Sequence, residues 1–136
     1  MALESLKTRR RSDYRYKLDI YYFLFDSIVN TYLIKQCSLH PPTSPQIGLV
    51  VYSHCNYLAP IGFPAIVDLA LRVNKLGKSS VTYEVGVFEQ GQDEPKAVGE
   101  VIHVFVDKDS RKPGKDGMAS GLKDGLSNIV AKPSKL

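Results

Sequence analysis

The chain has 136 residues, 43% of them hydrophobic, and a formal net charge of +4. That length suits one domain with a single core. Its longest apolar stretch, Ile20 to Phe25, is cut by Asp26 and is far too short to span a bilayer, so no membrane span is expected. Two cysteines, Cys37 and Cys55, are too few for a disulfide framework and too isolated for a zinc cluster, so both read as core or pocket-lining thiols.

The first segment is basic: Lys7, Arg9, Arg10, Arg11, Arg15 and Lys17 crowd one end. No aromatic-interleaved motif accompanies them, so they read as a solvated face and no nucleic-acid partner is expected. From Ile20 to Ile34 the apolar residues Tyr21, Leu24, Phe25, Ile28, Val29, Tyr32 and Leu33 recur at helical spacing, leaving a narrow stripe of Asp26, Ser27, Asn30 and Thr31. A helix so widely apolar is buried on several sides, and Pro41-Pro42 prevents its continuation.

Beyond it the period becomes two. Ile47 to Tyr57 reads as a strand, and the prolines and glycine of residues 57–64 as a turn. Val67, Leu69, Leu71 and Val73 alternate with polar or small residues, as do Val81, Tyr83, Val85 and Val87 after the tight connection Gly77-Lys78. Gln90 to Pro95 turns the chain into a last strand, Val98 to Val106. One buried helix followed by about four long antiparallel strands predicts an α+β fold whose sheet curls around the helix. Pro113 to Gly125 is rich in Gly, Lys, Asp and Ser, so 114–136 is expected to be a flexible tail after a domain spanning 1–113. The chain closes on Ser134-Lys135-Leu136, a receptor-read peroxisomal address. A peroxisomal matrix location, an import receptor as partner and acyl-CoA chemistry are the corresponding expectations.

The stretches Asp26 to Leu33, His54 to Pro64, Leu71 to Phe88 and Ala97 to Asp107 together resemble the hotdog-fold acyl-CoA thioesterases of the 4-hydroxybenzoyl-CoA thioesterase type. The likeness runs from about Tyr21 to Pro113. It implies a curved antiparallel sheet around a central helix, a homodimer or homotetramer with sites where subunits meet, hydrolysis of acyl-CoA to free acid and CoA, and no cofactor beyond the CoA thioester substrate.

Thioester hydrolysis needs a base or nucleophile and donors for the oxyanion. The family resemblance implies a carboxylate in the loop before the helix, usually within Asp-x-x-Gly-His-Val-Asn-Asn, and amides at the helix N-terminus. Here Arg11, Tyr14 and Arg15 stand at the aspartate, glycine and histidine positions, and no glycine precedes Gly48. Residues 1–19 thus depart from the pattern, as if the start had been replaced ahead of an intact body. Three carboxylates remain as catalytic candidates. Asp13 reads equally as a solvated loop residue, Asp19 as a helix N-cap, and Asp26 as a polar-stripe residue at a subunit contact. A non-catalytic subunit that binds acyl-CoA or pairs with an intact paralogue is therefore the alternative function. A hydratase acting on enoyl-CoA is a weaker third, since its paired Asp and His are not visible.

His54 and Cys55 are adjacent on a strand, point to opposite faces and cannot form a dyad. His103 reads as a satisfied sheet histidine. Gly77, Lys78, Ser79 and Ser80, with Arg72 and Lys75 nearby, suit the phosphates and pantetheine amides of CoA.

Overall fold

A computed structural model describes residues 7–11, 17–61 and 65–131, with side chains from residue 21 onward. The elements in chain order are β1 (Lys7–Arg11), α1 (Lys17–Gln36), β2 (Gln46–Tyr57), β3 (Ile66–Leu76), β4 (Ser80–Glu89), β5 (Pro95–Asp107) and α2 (Ser120–Ser127). The strands form one antiparallel sheet in the order β1-β3-β4-β5-β2.

The apolar stripe read from the sequence is the buried face of α1: Leu24, Phe25, Ile28, Val29, Tyr32 and Leu33 are each at most 4% exposed. Against it lie the alternate residues Leu69, Leu71 and Val73 of β3, Tyr83 and Val85 of β4, and Val101 and Phe105 of β5. The helix stops at Ser38, which takes a left-handed conformation with φ 56°, and the Leu39 amide turns back to bond the Leu33 carbonyl at 3.1 Å. Pro41 and Pro42 have no amide with which to prolong the helix, and they sit in a turn closed by the Thr43 and Ser44 amides on the His40 carbonyl at 2.9 and 2.7 Å.

The two sheet edges differ. β1 is short, carries Lys7, Arg9, Arg10 and Arg11, and covers β3 only from Ile66 to Ala70. β2 is twelve residues long, bulged between Val50 and Tyr52, and its outer side has no strand partner among the described residues. Val50, Val51 and Tyr52 are each more than half exposed there.

The segment expected to be a flexible tail is ordered through Ala131. Met118, Leu122, Leu126 and Ile129, spaced for one helical face, are buried in the core. The Val73 amide bonds the Ile129 carbonyl at 2.9 Å and its carbonyl receives the Ala131 amide at 2.7 Å, so the segment around Val130 pairs with β3 beyond the reach of β1. Gln46 clamps the start of the segment, donating to the Gly117 carbonyl at 2.9 Å and accepting from the Ala119 amide at 2.7 Å. At Gly125 α2 comes so close to the end of α1 that a Cβ would stand 2.5 Å from Cys37 Sγ. The Tyr32 hydroxyl donates to the Gly125 carbonyl across the same contact. Ser134, Lys135 and Leu136 lie outside the described residues.

Candidate functional site

A groove of about 330 Å³, open to solvent, lies beside the N-terminal part of α1 and is lined by Tyr21, Tyr57, Leu58, Ala59 and Pro60. Its walls follow from two local features. Tyr21 projects from α1 one turn after the helix begins, and β2 ends at Tyr57, after which the Leu58 and Ala59 amides both bond the Lys96 carbonyl and Pro60 offers no further donor. The two tyrosine rings meet edge to face at 5.2 Å. Leu58 is 60% exposed, so the groove's rim is apolar as well as open.

Ionisable groups around the groove are mostly neutral. Burial pushes the Cys55 thiol up, and desolvation followed by the neighbouring Cys55 thiol pushes the Tyr57 hydroxyl up. A protonated thiol is a poor nucleophile, so Cys55 brings packing rather than reactivity. His54 faces the opposite side of the sheet, its Nε2 3.6 Å from Glu100 Oε1, while Cys55 packs on the core. The expected absence of a His54–Cys55 dyad therefore holds.

Carboxylates are the remaining source of a base. Asp13 lies outside the described residues. Asp19 is carried by the first turn of α1, because the helix begins at Lys17 and not at Ile20; it is inside the helix rather than its N-cap. Two residues later comes groove-lining Tyr21. Asp26 is exposed and accepts from Asn30 Nδ2 at 3.0 Å on the same helix. From Lys17 to Asp26 the helix rises roughly 13 Å, so Asp26 stands well away from the free amides of the first turn.

His103 is not the satisfied sheet histidine expected. It is 2% exposed, and its Nδ1 has no hydrogen-bond partner among the described residues. The ring lies edge to face with Tyr83 at 5.2 Å and sits so close over Gly48 that a Cβ there would be 2.8 Å from Nδ1. Burial pulls its imidazole down to about 4, partly offset by the Asp26 carboxylate, so it is uncharged at neutral pH.

The suspected CoA residues are placed as follows. Gly77 to Ser80 forms the β3–β4 turn, with the Gly77 amide on the Ser80 carbonyl at 2.8 Å; the Ser79 carbonyl is held by Phe105 and the Lys78 carbonyl by Met118. The side chains of Lys75 and Lys78 are exposed. Arg72 is on the face away from α1, where Nη2 and Nε reach Glu84 Oε2 at 2.5 and 2.6 Å. Register shows Arg72 opposite Glu84, Glu84 opposite Glu100, and Glu100 opposite His54, a polar row across four strands. Ser80 pairs with Val104 and Tyr57 with Ala97, so turn and groove lie at opposite ends of β5, roughly 23 Å apart at strand rise. One chain does not bring them together.

Among the described residues there is no cluster able to hold a metal ion, and no helix is long and apolar enough to cross a membrane. A second cavity of about 200 Å³ lies between the end of α1 and the start of α2, with Cys37, Ser38, Ser44 and Gln46 in its wall. Burial pushes the Cys37 thiol there up to about 11.

The family profile described as Thioesterase superfamily matches residues 20–96. The chain is also 35% identical to a Pseudomonas aeruginosa protein of known crystal structure, covering 95% of this chain and 94% of that one with a TM-score of 0.88. This chain belongs to the Thioesterase superfamily. Its α+β architecture is the hotdog fold of that superfamily, a curved antiparallel sheet with a helix. More distant structures share the fold. A 1,4-dihydroxy-2-naphthoyl-CoA thioesterase from Synechocystis is 10% identical, with 90% of this chain and 96% of that one covered and a TM-score of 0.77. A Staphylococcus aureus protein crystallised in complex with CoA is 8% identical, with 96% and 88% covered and a TM-score of 0.76. No curated protein matches the chain.

Proposed function

We propose that this superfamily member hydrolyses acyl-CoA to free acid and CoA in the peroxisomal matrix. The observation that carries the reading is the position of the groove: in a thioesterase-superfamily chain it opens beside the first turns of α1, where unpaired backbone amides concentrate positive potential. A thioester carbonyl placed there gains donors for the oxyanion that forms when water attacks its carbon. A carboxylate takes the proton of that water, the tetrahedral intermediate collapses, and the CoA thiolate leaves and is reprotonated. By position along α1, Asp19 belongs to the first turn and Asp26 does not.

The phosphates of CoA suit the turn Gly77 to Ser80 with Lys78 and Lys75. Because the turn is remote from the groove of its own chain, the contact comes from a second copy in a homodimer or homotetramer. The Staphylococcus aureus structure shows that this fold can hold CoA. Arg72, already engaged by Glu84, serves the sheet before it serves a phosphate. Ser134, Lys135 and Leu136 supply the address for the import receptor.

A specific observation favours a second reading, a non-catalytic subunit that binds acyl-CoA or pairs with an intact paralogue. Arg11, Tyr14 and Arg15 replace the usual aspartate, glycine and histidine, so turnover is expected to be slow compared with binding. Binding and turnover measured on one preparation separate the two. Asp19→Asn should lower turnover about 10²- to 10⁴-fold and leave binding intact, whereas Asp26→Asn should change neither by more than a few-fold. Binding without any turnover in the wild type assigns the second reading. Absence of both overturns the pair.

A further inference from the structure

We infer that Phe25 is the residue that sets how long an acyl chain this protein accepts. The inference rests on the acyl-CoA reading of the groove and adds its size limit. The groove, about 330 Å³, is at the low end of ligand pockets, which run about 300–1,000 Å³. A long chain must therefore continue inward, between α1 and the sheet. The inner wall is aromatic: Tyr21 meets Tyr57 at 5.2 Å, and directly behind it stands Phe25, 6.5 Å from Tyr21 and 5.7 Å from Tyr22 between ring centres.

What Phe25 rests on is unusual for a core side chain. The sheet beneath it is hollow, because β5 presents Ala97 and then Gly99 on its helix-facing side where neighbouring positions carry valine. The phenyl ring fills that hollow so closely that a Cβ on Gly99 would stand 2.3, 2.4 and 2.9 Å from its Cε2, Cζ and Cδ2 atoms. Across the strand pair, Gly99 is opposite Cys55 and Ala97 is opposite groove-lining Tyr57. Groove, aromatic wall, Phe25 and the Ala97–Gly99 hollow are thus successive, and Phe25 occupies the space an extended acyl chain would need. A shorter side chain at 25 lengthens the path, and a methyl at 99 pushes the ring back toward the groove. Each methylene that finds room out of water gains up to about fourfold in affinity.

Calorimetric titration with acetyl-, octanoyl- and palmitoyl-CoA, together with the intermediate lengths, tests this without requiring turnover. Wild-type affinity should rise with chain length and then level off. Phe25→Leu, which removes bulk yet stays apolar, should move the levelling point to longer chains and leave acetyl-CoA within a few-fold. Gly99→Ala should move it to shorter ones. Thermal melts establish that each variant is folded, and either variant suffices if the other is not. A levelling point unmoved in the folded variants, or an equal loss for every ligand including acetyl-CoA, overturns the inference while leaving acyl-CoA binding in place. Failure of the wild type to bind any of the series overturns this inference together with the reading beneath it.

Discussion

His103 is neutral in the folded chain because burial pulls its imidazole to about 4 from an ordinary 6.5. The unfolded chain takes up a proton below 6.5 that the folded one refuses until about 4. Stability from this residue is therefore complete above pH 6.5 and lost as pH falls toward 4, by up to roughly 3 kcal/mol. Chemical denaturation at pH 7.5 and pH 4.5 should show the loss, and His103→Phe should flatten it; an unchanged slope would remove His103 as the cause. Sequence placed His103 on the right strand, since the alternation from Val98 to Val106 is plain. It could not show that Gly48 would leave the ring packed against a hydrogen, with Nδ1 unpaired. The carboxylates divided similarly. Asp19 stands out in the sequence as a carboxylate just before the helix read from Ile20, and its place inside the first turn follows from a start at Lys17, with which Leu18, three residues before Tyr21 and seven before Phe25, already agrees.

At the scale of elements, the long strands and α1 were legible because their buried faces repeat without interruption, and the observed bounds extend the expected ones by a few residues at most. α2 was missed for a compositional reason. Gly121, Gly125, Ser120, Ser127, Lys123 and Asp124 resemble a linker, although Met118, Leu122, Leu126 and Ile129 already carried a helical period. The glycines are not equivalent. At Gly125 a Cβ would meet Gln36 O at 2.8 Å as well as Cys37 Sγ, while at Gly121 the nearest atom, Cys37 O, is 3.8 Å away. Gly125→Ala is expected to destabilise the fold by about 1–3 kcal/mol, and Gly121→Ala to stabilise it by up to about 1 kcal/mol through the unfolded chain. Equal shifts in their denaturation midpoints would show that α2 does not pack as described.

For the whole molecule, the open β2 edge is the feature with the widest consequence. Its twelve residues leave a row of backbone groups and the side chains of Val50, Val51 and Tyr52 exposed, whereas the opposite edge is short and basic. In the proposed oligomer, pairing of two copies through β2 would remove that liability and bring the Lys78 turn of one chain toward the groove of the other. Light scattering should report a dimer or tetramer at micromolar concentration, and Val51→Lys should shift it toward monomer; a stable wild-type monomer would contradict the arrangement. The proposed peroxisomal address makes a separate prediction about Ser134 to Leu136. Their deletion should leave the protein folded and cytosolic, and import of the truncated chain without an intact partner would refute the address. The most direct measurement of the central claim, that the groove beside α1 receives the acyl thioester, is hydrogen–deuterium exchange with and without a non-hydrolysable acyl-CoA. Protection is expected at Tyr21 to Leu24 and at Cys55 to Ile61. Protection confined to the cavity between α1 and α2, or none at saturating ligand, would contradict it.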